Sequence, residues 1–219
     1  MLHFAFSIIG FFIGVLISHY TAFLINKCED KQKEVMFRLL SIRTFIICII
    51  DSALWLAIYI LLGMSVVSIL YMLASSILLA LSVVDFAAYE IPPQFNVALA
   101  VIGVVVLAMD YTHWYEYVIG AFTVSGIFYL LALATKGRGM GGGDIKLMAA
   151  AGLLLGWKKI LFSMVIGAIL GVVIHSVAMA VLKKKSMLAF GPYLSIGIYI
   201  MMILGGPIVS WYIVRFLTF

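Results

Sequence analysis

The sequence predicts an all-α integral membrane protein, a polytopic bundle of about eight transmembrane helices with no soluble domain. Three observations predict it. Of 219 residues, 66% are hydrophobic and only 11% charged, whereas a soluble domain is nearer half apolar and a quarter charged. Apolar runs of membrane-spanning length recur along the whole chain. The sparse charges gather mainly between those runs. One membrane domain over 1–219 is the simplest organisation, with 1–64 as N-terminal helices and 65–219 as the core.

The elements follow in order. Residues 4–25 are too long for the apolar region of a signal peptide and lack a basic start and a cleavage site, so they read as a retained span. A polar loop over about 26–43 leads to spans at 44–63 and 65–85, which Gly63-Met64-Ser65 joins as a hairpin. Pro92 and Pro93 end one helix and start the next, at 95–109. The polar, aromatic loop Asp110 to Glu116 suits a headgroup belt. Further spans follow at 117–135, 145–157, 160–182 and 190–214. The spans at 95–109 and 145–157 make only about 22 Å and 20 Å of helix, against a hydrocarbon core of about 30 Å. Each follows an aspartate, Asp85 or Asp144, which would then lie in a wet notch. Helix tilt or bilayer thinning is the plainer reading of short spans.

The net charge of +5 is read by location and is no nucleic-acid signature. The stretches Lys27 to Arg43, Lys136 to Lys146 and Lys183 to Lys185 hold 11 of the 14 Lys and Arg. The positive-inside rule makes these stretches cytoplasmic. Both termini are then extracytoplasmic, and Asp85 and Asp144 share the cytoplasmic side. Cys28 and Cys48 form no CxxC, no zinc spacing and no disulfide framework, and read as unpaired thiols.

The densest chemical signal is Gly139-Met140-Gly141-Gly142-Gly143-Asp144-Ile145-Lys146. Asp144 could be no more than a helix N-cap. Yet five of the seven residues 137–143 are glycine, more than a cap requires, which argues for a flexible segment that admits a peptide. Gly142 and Gly143 are both expected to matter to that mobility. Lys146 can meet lipid phosphate or favour the charged form of Asp144. Asp85 has a bland reading too, a helix-end charge among headgroups. Glu90, in the following loop, ranks below it. Two carboxylates can hydrolyse a peptide when one is ionised to deprotonate water and the other is protonated to polarise the carbonyl. No Ser-His-Asp, Cys-His or HExxH arrangement competes.

A polar layer is also expected. His19, Asp51 and His175 each stand eight residues from a cationic boundary residue, Lys27, Arg43 and Lys183. That is about 12 Å of depth. A buried Asp needs a partner, so Asp51 is expected to bond to one of the two histidines, or to Ser18 or Ser52. Structural glue between spans is preferred there over catalysis or a metal site. Rival functions for the chain are a proton- or ion-coupled transporter using Asp51, Asp85 and Asp144, or a noncatalytic assembly scaffold. The glycine-dense loop and the lack of paired broken helices disfavour the transporter.

Gly141-Gly142-Gly143-Asp144 fits the GxGD signature. The run Gly137-x-Gly139-Met140-Gly141-Gly142-Gly143-Asp144-x-Lys146-Leu147-Met148-Ala149-Ala150, with Gly156-Trp157 after it, resembles the type IV prepilin peptidases. Asp85 followed by Ile91-Pro92, Gly167-x-x-x-Gly171, and Phe190-Gly191-Pro192-Tyr193 also match, over roughly 80–215. The resemblance implies a membrane aspartyl endopeptidase with Asp85 and Asp144 as its catalytic pair. Its substrates would be prepilins or pseudopilins, losing short basic leaders at the cytoplasmic face of the bacterial inner membrane. Its surroundings would be the lipid bilayer, with no nucleic acid. The oligomeric state is left open.

The N-terminal part departs from the family. Pro93 stands where an acidic or amide residue is usual, and Gly14-Val15-Leu16-Ile17-Ser18 replaces a Gly-Ser-Phe-Leu-Asn-like run. The usual members carry a larger first loop with two CxxC pairs that hold zinc, and N-methylate the new pilin terminus with S-adenosylmethionine. The loop here is about 26–43 with one cysteine. The expectation is therefore a peptidase that needs no cofactor and holds no zinc. S-adenosylmethionine belongs only to the methylation, which is not carried over.

Overall fold

The computed structural model describes residues 2–28, 42–137, 139–182 and 189–216. The acidic group Glu29, Asp30 and Glu34, Arg138, and the Lys183–Lys185 cluster lie outside the described residues, as do the side chains of Lys27 and Cys28. Among the described residues the chain forms eight α-helices. They are α1 Leu2–Cys28, α2 Ile42–Leu62, α3 Val66–Ala88, α4 Pro93–Met109, α5 Trp114–Ala134, α6 Gly142–Leu155, α7 Trp157–Leu182 and α8 Gly191–Phe216. A 3-10 turn at Tyr111–His113 precedes α5. Six helices are long and apolar enough to cross a membrane; α4 is a shorter apolar helix, and α6 has only 14 residues. The bundle expected from the apolar runs is therefore the observed architecture.

Two boundaries differ from expectation. The run 145–157 does not end at Trp157, because Gly156 takes φ 78° and breaks the helix. A side chain would be strained there. Helix α7 starts at once, so Lys158 and Lys159 belong to its first turn and not to a loop. Lys158 Nζ pairs with Glu116 Oε1 of α5 at 2.7 Å.

The chain divides into two compact units, Met1–Glu90 and Ile91–Phe219. In the first, α1 and α2 pack closely through Gly14, where a Cβ would lie 2.7 Å from Cys48 Cα. Close approach through small residues is the usual basis of helix association in lipid. Ser7 Oγ and Ser52 Oγ meet at 2.6 Å, and Ser18 Oγ donates to Thr44 Oγ1 at 2.9 Å. The hairpin to α3 turns at Gly63, φ 70°. Ser65 then caps α3 by accepting from Ser68 N–H at 3.0 Å.

Asp51 is completely buried in this unit. Its partner is not the one expected. Ser76 Oγ of α3 donates to Asp51 Oδ1 at 2.8 Å, with Oδ2 at 3.0 Å. Trp55 Nε1 donates in turn to Ser76 Oγ at 2.9 Å. Ser18 and Ser52 spend their hydroxyls on α1–α2 contacts instead, His19 is partly exposed, and His175 lies in the second unit. The expected burial of Asp51 holds, but rotation about each helix decides which side chains meet. Ser76→Ala leaves the Asp51 carboxylate and the Trp55 N–H buried without this link. The expected loss is about 1–3 kcal/mol, read as a lower thermal midpoint in detergent.

In the second unit α6 packs against α4, α5, α7 and α8. Its Leu147, Met148, Ala151 and Leu154 are wholly buried. A helix enclosed by protein need not match the thickness of the bilayer. Helices α5 and α6 touch backbone to backbone, since a Cβ on Gly120 would lie 2.6 Å from the carbonyl oxygen of Gly152. Gly167 gives α7 and α8 the same closeness, with a Cβ there 3.1 Å from Tyr193 O. At the far end of α4, His113 Nδ1 and Tyr117 Oη bracket the Asp110 carboxylate at 2.9 Å and 3.0 Å. The His113 contact, and then that of Tyr117, hold this exposed carboxyl below its usual range.

Candidate active site

Asp85 belongs to the last turn of α3, and its side chain is 5% exposed. The chain leaves the helix through Tyr89, a left-handed residue at φ 54°, ψ 30°. The Tyr89 N–H donates to the Asp85 carbonyl at 2.8 Å. Pro92 and Pro93 then commit the chain to a new helix, with proline at its start where a missing N–H is harmless. Glu90, the rival carboxylate, is exposed. Asp85 closes the first unit's last helix.

Asp144 sits in the first turn of α6, not at its cap. The cap is Gly141, in extended conformation at φ −71°, ψ 138°. A Cβ on Gly141 would lie 2.9 Å from Asp144 Oδ2, so the carboxylate folds back over the helix start. An acidic residue at this position meets the free N–H groups and positive end of the helix. Asp144 is partly exposed, and Lys146 is exposed.

The glycines around Asp144 do different things. Lys136 and Gly137 take left-handed φ values, 52° and 76°. The Gly137 N–H closes α5 on Ala132 O at 2.7 Å. Gly139 N–H donates to Thr135 Oγ1 at 3.0 Å. Gly142 has open space where a side chain would go, whereas a Cβ on Gly143 would lie 2.8 Å from Ile91 Cβ. Asn96 Nδ2 donates to Gly143 O at 3.4 Å. The start of α4 thus holds the residue just before Asp144. Neither Ile91 nor Asn96 was singled out as a site residue from the sequence. The signal was there for Asn96, the lone strongly polar residue of the run 95–109.

The sequence therefore places its two carboxylates at helix ends, and the structure does the same, one in each unit. The polar layer of His19, Asp51 and His175 contributes no metal centre among the described residues.

Residues 72–176 match the model of the type IV leader peptidase family. The chain is 28% identical over 188 residues to a prepilin leader peptidase/N-methyltransferase of Pectobacterium carotovorum subsp. carotovorum, covering 83% of this chain and 65% of that protein. It is 31% identical over 155 residues to the protein so named from Aeromonas hydrophila, covering 67% and 53%. Over 100 residues it is 37% identical to the one from Pseudomonas aeruginosa, covering 44% and 34%. The matched part of the chain spans less than two-thirds of the length of these relatives. No solved structure matches the chain.

Proposed function

We propose that this chain, which belongs to the type IV leader peptidase family through residues 72–176, is an aspartyl endopeptidase. It cleaves the basic leader from prepilins or pseudopilins at the cytoplasmic face of the inner membrane. The observation that carries the proposal is the start of α6, where a Gly-Gly-Gly-Asp turn presents a partly exposed carboxylate inside the matched region. Asp85, buried in the last turn of α3 and also inside that region, supplies the second carboxyl.

The helix ends divide the labour. A helix N-terminus favours an anion and a C-terminal turn disfavours one. That supports Asp144 as the base and Asp85 as the acid. Asp144 takes a proton from water, whose oxygen attacks the scissile carbonyl carbon. Asp85 gives its proton to the carbonyl oxygen. Collapse of the tetrahedral species breaks the C–N bond: the leaving amine takes the proton held by Asp144, and a hydroxyl of the diol returns one to Asp85.

Sidedness tests the proposal. Inverted membrane vesicles, with the cytoplasmic face outward, should process added prepilin. Sealed right-side-out vesicles should not. Cleavage by the latter alone would place the site on the other face.

The relatives are also named as N-methyltransferases. The proposal is confined to the peptidase. A zinc site of the two-CxxC kind needs four cysteines, and the chain has Cys28 and a buried, free Cys48. With S-adenosylmethionine present, pilin processed by this chain alone is expected to keep an unmethylated N-terminus. Mass spectrometry showing one added methyl group would restore the second activity.

A further inference from the structure

We infer that Asn96 is a positioning residue for Asp144, and that its buried, unpartnered side-chain oxygen is uncovered as the peptide enters and receives a backbone N–H from it. This rests on the peptidase reading and names a recognition element of the same site. Three observations support it. Asn96 is 5% exposed, yet it stands at the start of a helix whose following residues, Val97 to Met109, are all apolar or glycine. Its Nδ2 donates to the carbonyl of Gly143, the residue that leads into Asp144. Its Oδ1 is buried with no hydrogen-bond partner among the described residues.

A side-chain amide carries one donor edge and one acceptor edge, like a peptide group. Here the donor edge is spent on the backbone beside the proposed catalytic carboxylate, and the acceptor edge is buried without a partner. Buried acceptors without partners are rare in native structures, and each one asks for an explanation. An extended peptide bound with its scissile bond at Asp144 presents N–H groups along its edge. Asn96 Oδ1 lies on the helix that holds Gly143, so it can receive one of them. The 3.4 Å separation from Gly143 is long for a hydrogen bond. Such contacts in ligand-free sites often tighten once substrate arrives.

Two variants and a control test this. Asn96→Leu keeps the volume and removes both edges. As a purely structural change it should be close to neutral, because the long contact to Gly143 O and the unpartnered oxygen disappear together. The inference predicts a nearly unchanged thermal midpoint together with a fall in kcat/KM for leader cleavage of about 100-fold. Asn96→Asp keeps the shape but turns a second acceptor toward Gly143 O. When protonated, its carboxyl can donate again. Its activity relative to wild type should therefore rise as pH falls, a response that a packing role would not produce. Asp144→Asn is the reference for lost chemistry. If wild type cleaves and Asn96→Leu cleaves within about threefold of it, this inference alone is overturned. If folded wild type does not cleave at all, the peptidase reading falls and takes this inference with it.

Discussion

Asp85→Asn and Asp144→Asn are each expected to abolish leader cleavage while the protein still inserts and folds. The substitution is nearly isosteric in both places, so the volume is kept while the acid–base chemistry is lost. Asp144 occupies the first turn of α6, where Asn can still accept from the free N–H groups. Asp85 is buried at the end of α3, and an uncharged Asn is no harder to bury there. In the proposed mechanism each carboxyl makes a proton transfer of the kind worth about 10²–10⁴-fold. The two act as one unit, so either single loss should cost nearly as much as both. Gel-shift kinetics, with circular dichroism as the folding control, measure this. Substantial cleavage by either folded variant would remove that residue from the pair. Glu90→Gln is expected to stay active, since Glu90 is exposed.

Gly143→Ala is expected to impair cleavage far more than Gly142→Ala. The reason is space. A Cβ at position 143 would lie 2.8 Å from Ile91 Cβ, so Ile91 or the start of α6 must shift. Asp144 is the next residue and moves with it. Displacement of a catalytic group by about 1 Å costs about 10²-fold. Overpacking of this kind costs roughly 1–3 kcal/mol in stability. A Cβ at position 142 meets nothing within 4 Å. Alanine there also suits a helix better than glycine. The sequence alone assigned both glycines to flexibility, and the close packing at Gly143 separates them. Equal losses in the two variants would return the explanation to mobility.

The fold was legible where one physical signal dominates. Apolar runs marked the eight helices, and Gly63-Met64-Ser65 became a positive-φ turn followed by a capping serine. The prolines after Asp85 marked the start of α4. Legibility failed where rotation or three-dimensional contact decides. Residue counting could not give the facing of Asp51, which turned out to be toward Ser76, itself held by Trp55. The end of α6 fell within a few residues of expectation; Trp157 continues the apolar run, while the break lies in the backbone of Gly156. In the candidate site, the helix-end positions of Asp85 and Asp144 were readable from the apolar runs and the glycine-rich stretch. The clasp on Gly143 was not, because Ile91 and Asn96 lie about 50 residues away in sequence, and only packing unites them with it.

Intact-mass spectrometry of a prepilin incubated with the purified chain in detergent tests the central claim most directly. The expected result is a single product, lighter by the leader alone, formed without added metal or cofactor. An unchanged prepilin mass in the presence of folded protein would contradict it.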